Sequence, residues 1–233
     1  IRAGIRGKEK MSLVELVDAM ADAATVDLRG SHVLPWLLKV IGTPRDAELR
    51  DAVEKLRAWA RSGAHRIDRD RDGTYEHSDA IRIMDAWWPR LFRAIFEPVL
   101  GKEIVDMLGA SDGFDDPNRR NHIGSAFQGG WYGMVHKDIR AVLGRRVRGA
   151  YSERFCGRGS LARCRNALLS SLREAIAVPA SELYGDDLCP RGDQACQDKI
   201  AHSATGGITQ PLIPWQNRPT YQQVVEITSH RPR

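Results

Sequence analysis

Apolar side chains recur at three- and four-residue intervals over long parts of this chain, which is the spacing of one buried helix face. The recurrence predicts amphipathic helices over 12–24, from Asp46 to a stop at Gly63, and over 78–100, 130–143 and 160–177. Because such stripes must bury one another, the pattern predicts a mainly α-helical region with a shared core.

Capping residues and prolines set the limits of these helices. Ser12 and Glu15 have the spacing of a capping box, in which each side chain accepts a hydrogen bond from the backbone amide of the other. Pro89 lies inside the third stripe and predicts a kink or a restart, because proline has no N–H to donate. Pro179 ends the fifth helix. The residues predicted to face inward from the fifth helix are Leu161, Cys164, Leu168 and Leu172.

The character of the chain changes after Tyr184, where glycine, proline, aspartate and cysteine dominate as far as Cys196. Alternate positions over 220–227 share one face of a β-strand, and such a lone strand needs a sheet to join. We therefore predict a mainly helical region over 1–200 and an extended tail with a terminal strand over 201–233. The predicted fold class is α+β, with helix predominating.

The composition is 42% hydrophobic and 28% charged over 233 residues, which excludes wholesale disorder and allows a sizeable core. Lysine and arginine number 35 against 30 aspartates and glutamates, so the formal net charge is only +5. The longest apolar run, 33–40, is interrupted by Pro35 and Lys39. It falls short of the ~18 residues that a membrane span needs, so no span is predicted.

The sequence contains four cysteines in two close pairs, Cys156 with Cys164 and Cys189 with Cys196. Seven residues lie between the two cysteines of the first pair and six between those of the second. This spacing favours two local disulfides over a zinc site or free thiols. Disulfides persist in oxidising compartments, so we predict a secreted or extracytoplasmic protein. The chain begins at Ile1 without a visible signal peptide, so we expect a processed or excised piece whose signal lies upstream.

The most specific local motif is the acidic segment 68–73, where aspartates occupy alternate positions before Gly73. An EF-hand loop begins in this way, because oxygen ligands at positions one, three and five surround calcium and glycine at six permits the turn. Asp79 takes position twelve, where it is shorter than the usual glutamate. The predicted calcium ligands over 68–79 are Asp68, Asp70, Asp72 and Asp79. The alternative is a solvated turn whose charges are balanced by Arg66, Arg69 and Arg71.

A basic stretch over 140–165 contains a single acid, Glu153. Its arginines are Arg140, Arg145, Arg146, Arg148, Arg154, Arg158, Arg163 and Arg165. Such a stretch could contact phosphates, but it matches no nucleic-acid-binding fold, and we predict no nucleic-acid partner. The simpler interpretation is a solvated face with docking sites for carboxylates. An alternative function is a non-enzymatic binding module that uses this surface on an anionic partner.

Catalytic motifs are absent from the sequence. There is no G-x-S-x-G elbow, phosphate loop, H-E-x-x-H pair or Rossmann glycine fingerprint. The seven histidines show no metal-ligand spacing. We therefore predict no organic cofactor, and calcium is the one ion that the sequence suggests.

The segment 213–225, Ile-Pro-Trp-Gln-Asn-Arg-Pro-Thr-Tyr-Gln-Gln-Val-Val, resembles the C-terminus of actinobacterial-type members of the penicillin acylase (penicillin amidase) family. Blocks at 71–75, 84–89, 129–133 and 155–165 resemble the same branch in the same order. The terminal block is the more specific, and the resemblance extends over nearly the whole chain.

The resemblance implies an N-terminal-nucleophile hydrolase of αββα fold, in which a serine freed at the start of the large subunit attacks an amide carbonyl. The matched blocks belong to the C-terminal portion of the large subunit, so no catalytic residue is carried onto this chain, and Ile1 is no nucleophile. The implied role is to buttress the core sheet, which the terminal strand would join, and to shape the substrate cleft. The implied partners are the small subunit, the N-terminal part of the large subunit and an acyl amide: a β-lactam side chain, an acyl-homoserine lactone or a lipopeptide.

Overall fold

The computed structural model describes residues 2–112, 131–149, 154–185, 189–199 and 214–217, and it is mainly helical. Its α-helices are α1 (Arg2–Ile5), α2 (Leu13–Ala24), α3 (Leu34–Ile41), α4 (Ala47–Arg61), α5 (Ser78–Leu100), α6 (Lys102–Asp112), α7 (Trp131–Val142), α8 (Leu161–Ile176), α9 (Ala180–Leu183) and α10 (Gln194–Gln197). A π-helical turn, Arg29–Val33, precedes α3, and a 3₁₀ turn, Cys156–Gly159, precedes α8. The predicted strand over 220–227 lies outside the described residues.

The helix termini follow the predicted capping signals. The Oγ of Ser12 accepts a hydrogen bond from the amide of Glu15 at 3.2 Å, and the Glu15 carboxylate accepts one from the amide of Ser12 at 2.9 Å. Asp46 and Ser160 cap α4 and α8 with one bond each, accepting the amides of Leu49 and Arg163. These bonds satisfy amides that a helix start would otherwise leave unpaired, so the predicted starts are confirmed.

Helix α5 is the centre of the molecule and packs against α4 and α8. It runs without interruption from Ser78 to Leu100, through Pro89, so a restart at that proline was wrong. Proline removes only one backbone donor, and the side chains on both sides of Pro89 are buried in the core, which holds the helix together. The indole nitrogen of Trp87 donates to the Oγ of Ser171 at 2.9 Å and fixes the register of α5 against α8.

Helix α3 was not predicted, because its residues form an apolar run with no polar face. Pro35 occupies its first turn, where a missing N–H costs nothing, so this proline begins a helix instead of breaking one. The helix contributes Leu34, Leu37 and Ile41, each fully buried, to the core between α4, α7 and α8. No helix of the described residues is both long and apolar enough to cross a membrane.

The inner face of α8 agrees with the prediction at three of four positions. Cys164, Leu168 and Leu172 are fully buried, but Leu161 is 47% exposed, so its inward placement was wrong. Leu161 is the first residue of the helix, where no preceding turn covers it, and it borders an open groove between α8 and the start of α4.

Two disulfides join the cysteines as the spacing predicts, Cys156 to Cys164 and Cys189 to Cys196. Gly157 has a φ of +58°, and a Cβ there would lie 2.3 Å from the backbone nitrogen of Cys164. Only glycine therefore fits this reversal. The carboxylate of Asp138, on α7, accepts the amide of Cys156 at 2.9 Å and holds the first disulfide loop against the core.

The segment 214–217 lies against the C-terminal end of α2 and the residues that follow it. The Nδ2 of Asn217 donates to the carbonyl oxygens of Ala23, at 3.1 Å, and Val26, at 2.9 Å. Val26 also forms an isolated antiparallel bridge with His65. These contacts bring Asp27, Arg66 and Trp215 together beside the first turns of α5.

Candidate functional site

The aspartates of the acidic segment converge, as the calcium prediction requires. One carboxylate oxygen from each of Asp68, Asp70 and Asp72 lies within 4.8 Å of the others. The Asp68 carboxylate also accepts the amides of Asp72, at 3.1 Å, and Gly73, at 2.9 Å, which closes the turn. Gly73 has a φ of +93°, a conformation that favours glycine. The six residues 68–73 are called the acidic loop below.

Asp79, the fourth predicted ligand, is not part of this group. It lies in the first turn of α5, where its carboxylate accepts a hydrogen bond from Lys55 Nζ at 2.9 Å, and that bond lowers the pKa of Asp79. Glu76 occupies position nine, another ligand position of such loops, and its carboxylate accepts the amide of Arg69 at 2.6 Å. The sequence reasoning missed Glu76 because it considered only positions one, three, five and twelve.

The alternative interpretation is a solvated turn whose negative charge is balanced by Arg66, Arg69 and Arg71. Two of these three arginines bind carboxylates outside the acidic loop. Arg66 extends into the interior and is wholly buried, where it binds Asp85 and not the acidic loop. Arg69 pairs with Asp22 at 3.4 Å. The negative charge of the loop is therefore not compensated by Arg66 or Arg69.

The most unusual feature of the described residues is a buried group of charged side chains. Its members, called the ionic core below, are Asp27, Arg29, Arg66, Asp85 and Asp198. Arg66 binds Asp85 through both terminal nitrogens, at 2.8 Å each. Arg29 donates to Asp27 at 2.6 Å and to Asp85 at 2.7 Å. Paired and hydrogen-bonded charges are the form in which buried ions are tolerated in a protein interior.

Asp198, beside the end of α10, completes the ionic core from the opposite side. Its Oδ2 accepts hydrogen bonds from Arg66 Nε at 2.9 Å and Nη2 at 2.8 Å. Tyr184 donates its hydroxyl to Asp85 at 2.7 Å and accepts a hydrogen bond from the Gln194 amide at 2.6 Å. The Trp215 ring lies 5.3 Å from the Arg66 guanidinium and covers it.

The charges of the ionic core do not balance, since three carboxylates face two guanidinium groups. Burial alone would raise the pKa of Asp85, but the attraction of Arg66 and Arg29 outweighs it and lowers that pKa. Burial raises the pKa of Asp198 to about 7, because the attraction of Arg66 does not offset it and Asp85 repels the charge. Of Asp85 and Asp198, it is therefore Asp198 whose surroundings favour the remaining proton, the one that would balance the charges of the ionic core. A hydrogen bond between Tyr75 and Asp198 works against this effect but is weaker than burial.

The ionic core does not have the form of a catalytic centre, because its charged atoms are removed from solvent and bind one another. Two hydroxyl–histidine contacts occur among the described residues, each at 2.8 Å: Ser31 Oγ with Nδ1 of the adjacent His32, and Thr25 Oγ1 with His65 Nδ1. No described carboxylate orients the His32 ring. Thr25 Oγ1 belongs to the pair between distant residues. The same hydroxyl donates to the carbonyl oxygen of Asp22 at 2.9 Å. The Asp22 carboxylate lies 3.9 Å from the same ring nitrogen of His65. A catalytic histidine is held by a carboxylate through one ring nitrogen and accepts a proton at the other, and His65 does not have this arrangement. The pair caps the end of α2.

The basic stretch is not one continuous surface. Arg158 donates to the carbonyl oxygen of Pro98 at 2.6 Å, and Arg163 donates to that of Gly157 at 3.0 Å. These two arginines therefore hold the first disulfide loop in place. Arg140 and the residues that follow α7 form a separate group, described below.

A comparison with protein families identifies the class of protein that these elements build. The model of the family described as Penicillin amidase matches residues 1–218. The chain therefore belongs to the penicillin amidase family. No curated protein gives a significant match. The match includes the ionic core, the acidic loop, both disulfides and the segment 214–217.

Proposed function

We propose that this chain is the C-terminal portion of the large subunit of an amidohydrolase that cleaves the amide bond of acylated substrates. The family match over residues 1–218 carries this proposal. The acyl substrate is a β-lactam side chain, an acyl-homoserine lactone or a lipopeptide. The remainder of the precursor, namely the small subunit and the N-terminal part of the large subunit, supplies the nucleophile.

The role of this portion is structural and cleft-shaping. The ionic core supports such a role, since it joins segments near residues 27, 66, 85 and 198 into one rigid unit. A helical unit that is rigid in itself can support a neighbouring sheet and one wall of a cleft. The two disulfides support an extracytoplasmic location, because such bonds persist where the surroundings are oxidising.

We expect the 233-residue chain to hydrolyse no amide on its own, whereas the full-length protein does. The reason is that the described residues contain no nucleophile with a correctly oriented base. The measurement is release of the chromophore from phenylacetyl and long-chain acyl amides, with the full-length protein as the positive control. Turnover by the purified chain that one point substitution within it abolishes would contradict the proposal.

We further propose that the acidic loop binds calcium as a structural ion. Three carboxylates within 4.8 Å of one another supply the hard oxygen ligands that calcium prefers. The loop lies between Arg66, in the ionic core, and Tyr75, which is also buried, so a bound ion would fix both ends of it. Glu76 and Asp79 are the nearest candidates for further ligands.

Titration calorimetry of the chain with calcium should give binding in about the submillimolar to millimolar range, because only three carboxylates converge. Asp70→Ala should weaken it by roughly tenfold or more, since a removed carboxylate leaves the cation under-coordinated. Asp18→Ala, which changes an exposed aspartate on α2, is the matched control and should leave binding unchanged. A chain that shows neither heat of binding nor thermal stabilisation at millimolar calcium would leave the loop as a solvated turn.

A further inference from the structure

Basic side chains surround a cavity of about 680 Å³ at the C-terminal end of α7. The cavity, called the cationic pocket below, is lined by His136, Lys137, Arg140, Arg146, Val147 and Arg148. None of the described residues that line it is acidic. The guanidinium groups of Arg140, Arg146 and Arg148 repel one another across this cavity, and an anion in it would relieve that repulsion.

Local hydrogen bonds build the cationic pocket from one helix end and the turn that follows it. Gly144, with a φ of +70°, reverses the chain after α7, and the amide of Arg145 donates to the carbonyl oxygen of Arg140 at 2.8 Å. The side chain of Arg140 then donates to the carbonyl oxygen of Arg146 at 3.0 Å. These bonds hold the turn against α7, so the basic side chains are brought together before any ligand arrives.

Trp36 on α3 fixes the positions of two residues of the cationic pocket. Its ring centre lies 5.3 Å from the Arg140 guanidinium and 6.1 Å from the His136 ring. The Nε of Arg140 is buried and donates to no partner among the described residues. A guanidinium held in place by a ring and by a backbone carbonyl is prearranged for an oxyanion, and Arg140 lines the cavity.

The protonation of His136 also reflects the positive field in the cationic pocket. Burial lowers the pKa of His136, and the nearby charges of Arg140 and His32 lower it further. A cation at the end of a helix is itself favourable, because the helix dipole is negative there. That explanation accounts for Arg140 in the last turn of α7, but not for Arg146 and Arg148, which follow the helix.

We propose that the cationic pocket binds a small polyanion, one that presents phosphate or carboxylate oxygens and carries at least two negative charges. Guanidinium groups match both oxyanions in geometry, since their N–H donors form a planar fork. A single exposed ion pair contributes little, so a ligand must engage several of these cations at once. This site is separate from amide hydrolysis and does not depend on the proposed function.

Calorimetric titration of the full chain at constant ionic strength tests this site, with pyrophosphate and citrate as the polyanions and acetate as the monovalent control. We expect saturable binding of a polyanion and none of acetate. Arg146→Gln combined with Arg148→Gln should weaken the affinity by about tenfold or more, because two charge-assisted contacts are lost. Arg145→Gln removes one charge from the same turn, at a residue that does not line the cavity, so the affinity should change less than about twofold.

Binding of pyrophosphate alone would assign the cationic pocket to phosphate, and binding of citrate alone would assign it to carboxylate. Circular dichroism and thermal unfolding should show that both arginine variants, the double and the single, fold as the parent does. Two results would overturn the proposal: no saturable binding of either polyanion, or equal weakening by Arg145→Gln and by the variants of the lining residues. The second result would mean that diffuse surface charge, and not this cavity, attracts the anion.

Discussion

Replacing Arg66 by methionine should lower the free energy of unfolding by about 3–5 kcal/mol, the range typical of breaking a buried ion pair. Methionine fills much of the same space but supplies no charge. Asp85 and Asp198 would then lose the hydrogen bonds that Arg66 donates to them at 2.8–2.9 Å, and Asp27 would lose one at 3.3 Å. Three buried carboxylates would face Arg29 alone. Urea unfolding followed by circular dichroism measures the change.

Arg69→Met is the matched control, because Arg69 is three residues away but its side chain is 57% exposed and pairs only with an exposed aspartate. It should change the free energy of unfolding by less than about 0.5 kcal/mol. Adding Asp198→Asn to Arg66→Met should restore part of the lost stability, since the amide is neutral without the proton that Asp198 must bind once Arg66 is absent. A loss below about 1 kcal/mol for Arg66→Met would show that the ionic core does not hold the fold together.

The contribution of Asp198 to the stability of the chain should decrease as the pH rises from about 4 to about 7. Burial raises the pKa of Asp198 from the ordinary 3.8 to about 7, so between these values the folded state binds a proton that the unfolded state has released. A group of this kind favours the folded state at low pH, and that contribution is lost as the pH rises through the folded pKa. Since each pKa unit corresponds to ~1.4 kcal/mol, the full change is roughly 4 kcal/mol.

Asp198→Asn tests this dependence, because the amide keeps the shape of the carboxyl group and never ionises. The difference in unfolding free energy between the parent and Asp198→Asn should vary between pH 4 and 7, with the variant relatively more stable at the higher pH. Asp18→Asn, on the exposed face of α2, should follow the parent at every pH. Parallel curves for the parent and Asp198→Asn would show that Asp198 does not carry the remaining proton.

The sequence predicted the amphipathic helices because each has one apolar stripe, a cap and a stop. Helices α2, α4, α5 and α8 have all three kinds of signal or most of them, and their starts agree with the prediction. Helix α3 lacks a polar face, so periodicity could not reveal it, and Pro35 was interpreted as an interruption. The family could be predicted from short blocks, and its model matches residues 1–218.

The ionic core could not be predicted from the sequence, because its members come from distant parts of the chain. Only one signal existed: Asp85 stands within the buried stripe of α5, between Met84 and Ala86, where a charge requires a partner. Nothing in the sequence identifies Arg66 as that partner. Its position two residues before the acidic loop suggested that it balances the charge of that loop in solvent. The cationic pocket could not be predicted either, because arginines that are close in the sequence lie in different places in the structure. Some line the cavity, and others bind the first disulfide loop.

Trp215 and Asn217 attach the terminal block to the rest of the described chain. Trp215 is fully buried beside the guanidinium of Arg66, and Asn217 bonds the end of α2. We therefore expect substitution of either residue by alanine to loosen the segment 214–217.

The pairing of Arg66 with both Asp85 and Asp198 also orders the folding of the chain. Arg66 and Asp85 are 19 positions apart, whereas Arg66 and Asp198 are 132 positions apart. Closing the longer loop costs nearly 2 kcal/mol more conformational entropy, from the logarithmic dependence on loop length. We therefore expect the hairpin of α4 and α5 to form early around the first pair, and the segments that contain Asp198 and Trp215 to dock afterwards. We expect the same segments to open first in the native protein, which hydrogen exchange would detect as faster exchange at Asp198 and Trp215 than in α5.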